Sequence, residues 1–518
     1  MADARISSSE QHHPAARRWQ SGLPFVLCPV LTWFGFANPV LQIPLLVIGF
    51  PVLLAYSAIQ SEHSGQAFRK GWLIGSLTFS ACLYWVVVPV RFFGGLPWIG
   101  ALPCPLLLGT YLGLYPAVFS LGVHWACPRF SWFSLGIYSS LLWILLEWLR
   151  GIALSGFPWL GLAQAFSRWP VTIQTLQYIG ALGLTGLVVL CAVWLVAGSR
   201  KKTAWLCVGL IVGANIGFGL WTLQQTQSGE GISVKALIIQ GNIDQNRKWD
   251  PAYQQATLQT YLDLSRKGLT AHEPDLVLWP ETAMPFYLQE TSKLSRQIQF
   301  FCRQNNIALL TGAPGYTLLP DGSYTLHNRA YLFDRQGNRS DFYGKQHLVP
   351  FGEYVPFSRL LPFLSKLVPG VSDFSPGSRA GPLSTHNLAM GILICYEIIF
   401  EQLVHERVAN QSNVLINLSN DAWFGRTSAP KQHLHQAVLR AVEQQRFLIR
   451  ATNSGISAVI TPQGTLQARS ELFTTQVIPS GEVRALEERT LYFDHKNTGL
   501  LLCLLVFLML SAYGRLRR

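Results

Sequence analysis

The chain has 518 residues, of which 49% are hydrophobic and only 13% charged, with a formal net charge of +13. Soluble domains carry about 25% charged residues, so a wholly soluble protein is excluded. Nor does the positive charge mark a nucleic-acid groove, because no basic run carries interleaved aromatics. Lys and Arg cluster instead in short loops beside apolar stretches, where they set orientation and meet anionic lipid.

In chain order, a polar tail (1–22) comes first and has no small-residue cleavage site of the signal-peptide kind. A hydrocarbon core needs about 20 residues of helix. Apolar stretches of suitable length lie at 23–37, 40–59, 72–90, 99–126, 134–149, 172–197 and 204–223, with a last one at 498–513. Asn38-Pro39 divides the first two, which also read as one long broken helix. The basic residues support eight spans. Arg17-Arg18, Arg69-Lys70, Arg129, Arg200-Lys201-Lys202 and the closing GRLRR all fall on one side, and loops 94–100 and 151–168 are nearly free of them. The predicted organisation is a cytoplasmic tail (1–22), a membrane domain of seven helices (23–224), an outward-facing globular domain (225–497), and a final span with a basic tail (498–518). The loop EWLRGIALSGFPWLGLAQAF reads as an interfacial belt, with Trp148 and Trp159 at headgroup depth and Glu147 and Arg150 near water. Its other reading is the lining of a lipid entry path.

From Ser233 the pattern changes. VKALIIQGN, PDLVLWPET, IALLTGAP, TLHNRAYLF, LAMGILICYEIIF, NVLINLSND and SGISAVITPQGT read as strands, and TLQTYLDLSRKGL and SKLSRQIQFFCRQNN as amphipathic helices. Such alternation predicts a layered α/β domain, and about 260 residues suffice for one large core. Seven of the nine cysteines lie in or beside spans, as small hydrophobes. Of the other two, Cys302 sits on the apolar side of a helix and Cys395 ends a strand. His433 and His435 lack an evident third metal ligand, and no metal or other cofactor is expected.

Three residues at strand ends carry the predicted chemistry. Cys395 is the candidate nucleophile, Glu281 the base that takes its proton, and Lys345, with the backbone N–H after Cys395, the oxyanion stabiliser. None is diagnostic alone. Together, in WPE, YGKQHLVPFGEYVP and ICYE, they resemble the nitrilase (carbon–nitrogen hydrolase) superfamily. With the spans, and with EWLRG, GFPWL, QGNIDQNRKWDP and SNDAWFG, the chain resembles that superfamily's membrane branch, the apolipoprotein N-acyltransferases.

The resemblance implies an αββα sandwich and a ping-pong reaction in the inner membrane of a bacterium, the last step of lipoprotein maturation, with the catalytic domain on the periplasmic side. Cys395 would take the sn-1 acyl chain of a phospholipid as a thioester. The α-amino group of a diacylglyceryl-modified cysteine on an apolipoprotein would then receive it. Glu353 matches a supporting glutamate; Trp249, Tyr396, Glu397, Trp423, Phe424 and Trp148 are candidate substrate-binding positions. A monomer is expected. The apolar loop residues Val349, Phe351, Val355, Phe357, Leu360, Leu361, Phe363 and Leu364 either dip into the bilayer or pack on the domain. The competing readings are a membrane-tethered amidase of the same fold, a non-catalytic lipid-binding scaffold, and a transporter. Eight spans argue against the first, an intact Glu, Lys and Cys against the second, and the few charges in the spans against the third.

Overall fold

A computed structural model describes residues 14–225, 232–356, 374–378, 381–385 and 388–517. The expected loop positions Phe357, Leu360, Leu361, Phe363 and Leu364 lie outside these residues; Phe351 is exposed and Val355 buried.

Among the described residues five helices are long and apolar enough to cross a membrane: Trp98–Ala126, Trp132–Ser155, Leu176–Ala197, Lys202–Gln224 and Leu491–Leu516. A sixth crossing results if Ser64–Cys82 and Tyr84–Phe93, bent by 57° at their junction, count as one span. The two stretches expected to open the membrane domain are shorter helices, Gly22–Gly35 and Pro44–Ile59. Asn38 explains the break between them. Its side-chain oxygen accepts from the N–H groups of Val40 (2.9 Å) and Leu41 (2.8 Å). Its amide nitrogen donates to the carbonyls of Phe36 (3.1 Å) and Leu41 (2.8 Å). One side chain thus replaces the backbone partners that a helix would have supplied, and the chain turns back.

The globular half is a sandwich of two six-stranded sheets. The first contains β1 (Ser233–Gln240), β2 (Leu276–Leu278), β3 (Ala308–Leu318), β4 (Tyr324–Phe333) and β5 (Arg339–Gly344). The second contains β6 (Leu383–Thr385), β7 (Leu388–Ile394), β8 (Val414–Ser419), β9 (Leu448–Thr452), β10 (Ala458–Ile460) and β11 (Leu466–Arg469). The chain then returns through β12 (Gln476–Arg484) to the first sheet, giving the orders β12-β1-β2-β3-β4-β5 and β11-β10-β9-β8-β7-β6.

The period-2 alternation of strands sorts the apolar runs into layers. Ala236, Ile238, Met390, Ile392 and Ile394 fill the space between the sheets. Leu237 and Ile239 face outward onto helices Gln254–His272 and Lys293–Asn305, where Cys302 is also core. Leu393, Leu415 and Leu448 face the other way, onto helices Glu401–Ala409 and Ala429–Gln444. That last layer meets membrane helices instead of water. Leu434, Ala437, Val438 and Ala441 share one continuous core with Trp159, Leu176 and Leu184. In helix Ala429–Gln444 every residue but Lys431 and His435 is buried. A polar tie reinforces the seam, as Glu443 Oε1 accepts from the N–H of Ala181 at 2.8 Å.

Trp159 therefore does not sit in a headgroup belt. It is buried between the two halves, with its ring against that of His433, and Arg150 beside Glu147 is buried too.

Candidate active site

Glu281 and Cys395 follow the carboxyl ends of parallel strands, β2 in one sheet and β7 in the other. Lys345 follows β5, and its N–H donates to the Asn328 carbonyl on β4 at 2.8 Å. Stacking the sheets brings these ends together. Two of the positions are backbone-strained: Cys395 has φ +52° and Thr282, next to Glu281, φ +45°. Residues bearing a Cβ rarely adopt such angles unless their surroundings demand it.

The charged groups form one buried cluster. Lys345 Nζ lies 2.8 Å from Glu353 Oε2 and 3.7 Å from Glu281 Oε1. Asn328 Nδ2 donates to both carboxylates, at 2.8 Å to Glu281 Oε1 and 3.1 Å to Glu353 Oε1. Glu353 Oε2 also accepts the N–H of Val349 at 2.9 Å, which folds the lysine loop back on itself. Glu281 Oε2 differs from these: it is buried and has no hydrogen-bond partner among the described residues.

Burial raises the Glu281 pKa. Lys345 pulls it down, Glu353 pushes it up and Asn328 pulls it down, and the net result stays above the usual carboxylate range. For Lys345 burial favours the neutral amine, but Glu353 and Glu281 outweigh it and hold the ammonium charged far above the ordinary range. Burial drives the Cys395 thiol well up, with Glu281 adding to the rise and Lys345 opposing it. The resting site is thus a protonated thiol beside a buried carboxyl group and a fixed cation.

A second lysine stands on the other side of Glu281. Lys248 is buried, and its Nζ donates to Thr282 Oγ1 at 2.7 Å and to the Glu281 carbonyl at 3.4 Å. Burial pulls its pKa down to about 7, against the attraction of Glu281.

The candidate substrate positions separate into groups. Trp249, next to Lys248, is exposed, as is Trp423, whose ring meets Phe93 at 4.6 Å. Phe424 packs on Trp85 (5.1 Å) and Trp159 (6.2 Å). Tyr396 is buried and donates to the Gly156 carbonyl at 3.3 Å. Trp148 is exposed near the end of its helix, and no hydrogen bond or ring contact among the described residues joins it to the cluster. Glu397 is fully buried and saturated. Oε1 accepts from Tyr343 Oη (2.8 Å) and from the N–H groups of Gln346 (2.7 Å) and His347 (3.1 Å); Oε2 accepts from that of Ile394 (2.7 Å). Its carboxylate ties the lysine loop to the end of β7 and faces no substrate space.

Sequence reading missed Asn328, Lys248 and the partners of His433. Each is a polar residue inside an otherwise apolar or motif-like run, and that is the one signal they gave. His433 donates from Nε2 to the Cys395 carbonyl at 3.1 Å.

Comparison with known proteins identifies the family. Residues 235–481 match the model of the carbon-nitrogen hydrolases, and residues 29–194 match that of the apolipoprotein N-acyltransferase N-terminal domain. The apolipoprotein N-acyltransferase of Geobacter metallireducens is 39% identical over 484 residues, 90% of either chain. The chain belongs to the apolipoprotein N-acyltransferase family. A further apolipoprotein N-acyltransferase, from Vibrio cholerae, is 34% identical over 87% of this chain and 88% of its own. The family's enzymes are acyltransferases built on the carbon–nitrogen hydrolase fold. Among solved structures, an amidase from Nesterenkonia sp. is 21% identical, covering 50% of this chain and 95% of its own, with a TM-score of 0.37.

Proposed function

We propose that this chain moves an acyl group from a phospholipid to the α-amino group of a diacylglyceryl-modified cysteine on an apolipoprotein, through a thioester on Cys395. The observation that carries the reading is the unpartnered, buried Oε2 of Glu281, in the same cluster as a fixed lysine and a strained cysteine. A buried carboxylate oxygen with no partner among the described residues, beside the thiol and the lysine, is suited to accept and return a proton.

In the first half-reaction Glu281 takes the thiol proton as Cys395 Sγ attacks the sn-1 ester carbonyl. Lys345 and the N–H of Tyr396 hold the oxyanion. The intermediate collapses by losing the lyso-phospholipid alkoxide, which receives the proton from Glu281. In the second, the acceptor amine attacks the thioester and Glu281 accepts a proton from nitrogen. Collapse expels the Cys395 thiolate, which is reprotonated, and leaves an amide. A thioester has less resonance stabilisation than an amide, so the transfer runs downhill. Glu353, Asn328 and Glu397 position the groups. Trp249 and Trp423, exposed on the two sheet-end loops, line the approach for the large substrates.

The apolar helices support a reaction at a bilayer, and the clustering of basic residues on one side supports the reading that the domain at 225–497 faces the periplasm from a bacterial inner membrane. The enzyme acts as a monomer, since one chain supplies every group named.

The test is intact mass spectrometry of the purified protein after incubation with phospholipid, beside Cys395→Ala. A gain of one acyl chain, absent in the variant and discharged by a diacylglyceryl-cysteine peptide, is the expected result. An adduct discharged by water as fast as by the peptide supports an amidase-like hydrolase. No adduct at all removes the thioester mechanism.

A further inference from the structure

Cys395 occupies a left-handed backbone conformation, and its surroundings contain the device that imposes it. Two buried side chains donate to its carbonyl, His433 Nε2 at 3.1 Å and Asn417 Nδ2 at 3.4 Å. Asn417 on β8 sits beside Arg450 on β9 in register, and Arg450 donates to its side-chain oxygen. Arg450 Nη2 also donates to Asp421 Oδ2 at 2.8 Å and lies 2.9 Å from His433 Nδ1. Asp421 Oδ1 takes the Ser419 hydroxyl at 2.8 Å. The carbonyl fixes one end of the ring, so Nε2–H points at Cys395, while Nδ1 faces both Arg450 Nη2 at 2.9 Å and Asp421 Oδ1 at 3.1 Å. A neutral ring accepts there from Arg450 and a protonated ring donates to Asp421, and Nε2 donates to Cys395 in either form.

The other end of this clamp lies in the membrane half. Gln432 precedes His433, and four groups from that half grip it. Its Oε1 accepts from the indole N–H of Trp159 (2.8 Å) and of Trp85 (3.1 Å). Its amide nitrogen donates to the Ala37 carbonyl (3.2 Å), and its backbone carbonyl accepts from Gln164 Nε2 (2.6 Å). The Trp159 ring then covers the imidazole, with centroids 5.5 Å apart, and Phe424 meets its edge at 6.3 Å. His433 has no freedom to turn away from the cysteine.

We propose that His433 is a positioning residue, anchored through Gln432 to the tryptophans of the membrane half, that holds the nucleophilic Cys395 in its left-handed turn. The inference rests on Cys395 being the nucleophile, as proposed above. It assigns the membrane half a part in the chemistry besides contact with lipid: its connecting segments brace the strained residue on which attack depends.

The experiment compares wild type, His433→Leu, His433→Gln and Gln432→Leu, as full-length protein in mixed phospholipid–detergent micelles. The rate of acyl adduct formation is followed by intact mass, together with kcat and KM for the phospholipid. A misplaced nucleophile costs about a hundredfold, so His433→Leu is expected to lose about that factor in acylation rate and kcat with KM unchanged. His433→Gln, which returns an N–H to the carbonyl, is expected to recover most of the loss. Gln432→Leu is expected to fall between, and it decides the matter if His433→Leu does not fold. Wild-type acylation rates in His433→Leu or Gln432→Leu overturn the inference, and so does a folded His433→Gln no faster than His433→Leu. A wild type that forms no adduct on Cys395 instead removes the thioester reading itself, and the clamp's catalytic role with it.

Discussion

At the scale of single residues, the two oxygens of Glu281 differ. Oε1 is held by Asn328, and Oε2, without a partner among the described residues, is the one proposed to carry the proton. The Asn328 bond also lowers the Glu281 pKa, against the burial that raises it. Asn328→Leu deletes that bond, so the Glu281 pKa rises further. The base must be ionised to act, and the acid limb of the kcat/KM profile therefore moves to higher pH. A limb that stays in place in the variant, measured with wild type in the same buffers, counts against Glu281 as the base. Glu281, Lys345 and Cys395 were legible in the sequence because each ends an apolar run inside a distinctive local sequence. Asn328 was not. Alternation tells which face of β4 a residue takes, but the partner comes from a strand and a loop that sequence spacing does not place.

At the scale of elements, the turn after β2 depends on how closely two backbones approach. A Cβ on Gly312 would sit 2.4 Å from the Thr282 nitrogen and 2.7 Å from Glu281 Cα. Both are backbone atoms that cannot swing aside. Gly312→Ala is expected to move the Glu281 turn, lowering kcat by about a hundredfold and stability by about 1–3 kcal/mol. Steady-state kinetics and thermal unfolding measure both, and an unchanged kcat contradicts a geometry-limited base. Strands were readable from their short apolar runs. The membrane helices were readable as apolar stretches, and Asn38-Pro39 marked the break between the first two, but counting residues did not show that both are helices shorter than a span. Trp159 misled for a different reason. An indole has the same amphipathic character at a headgroup as at a buried seam, where its N–H finds Gln432.

At the scale of the molecule, burial that reaches from the sandwich to the membrane helices leaves a mark on pH stability. Desolvation, complete for His433 and partial for the other four, lowers the pKa of His327, His347, His405 and His433 and takes His435 down to about 4. An unfolded histidine titrates near ~6.5. These groups therefore contribute stability that is fully present above that value and is lost as pH falls through the folded values. The unfolding temperature in detergent is expected to be lower at pH 5 than at pH 7.5. A flat profile means that the folded chain does not hold these imidazoles neutral. The layered α/β architecture was legible from the sequence. The continuity of its outermost layer with the membrane core was not, because a helix covered by lipid-embedded helices and one covered by its own domain carry the same apolar face.

That continuity has a consequence for traffic. Helix Ala429–Gln444 is buried on nearly every side, so the two halves are welded and cannot swing apart like a clamshell. The seam is also the brace of the nucleophile, since Gln432 is held by Trp159 and Trp85 and its neighbour His433 by the Cys395 carbonyl. A shear that slid one half over the other would therefore disarm the thiol, and the molecule is built to exchange its guests without such a slip.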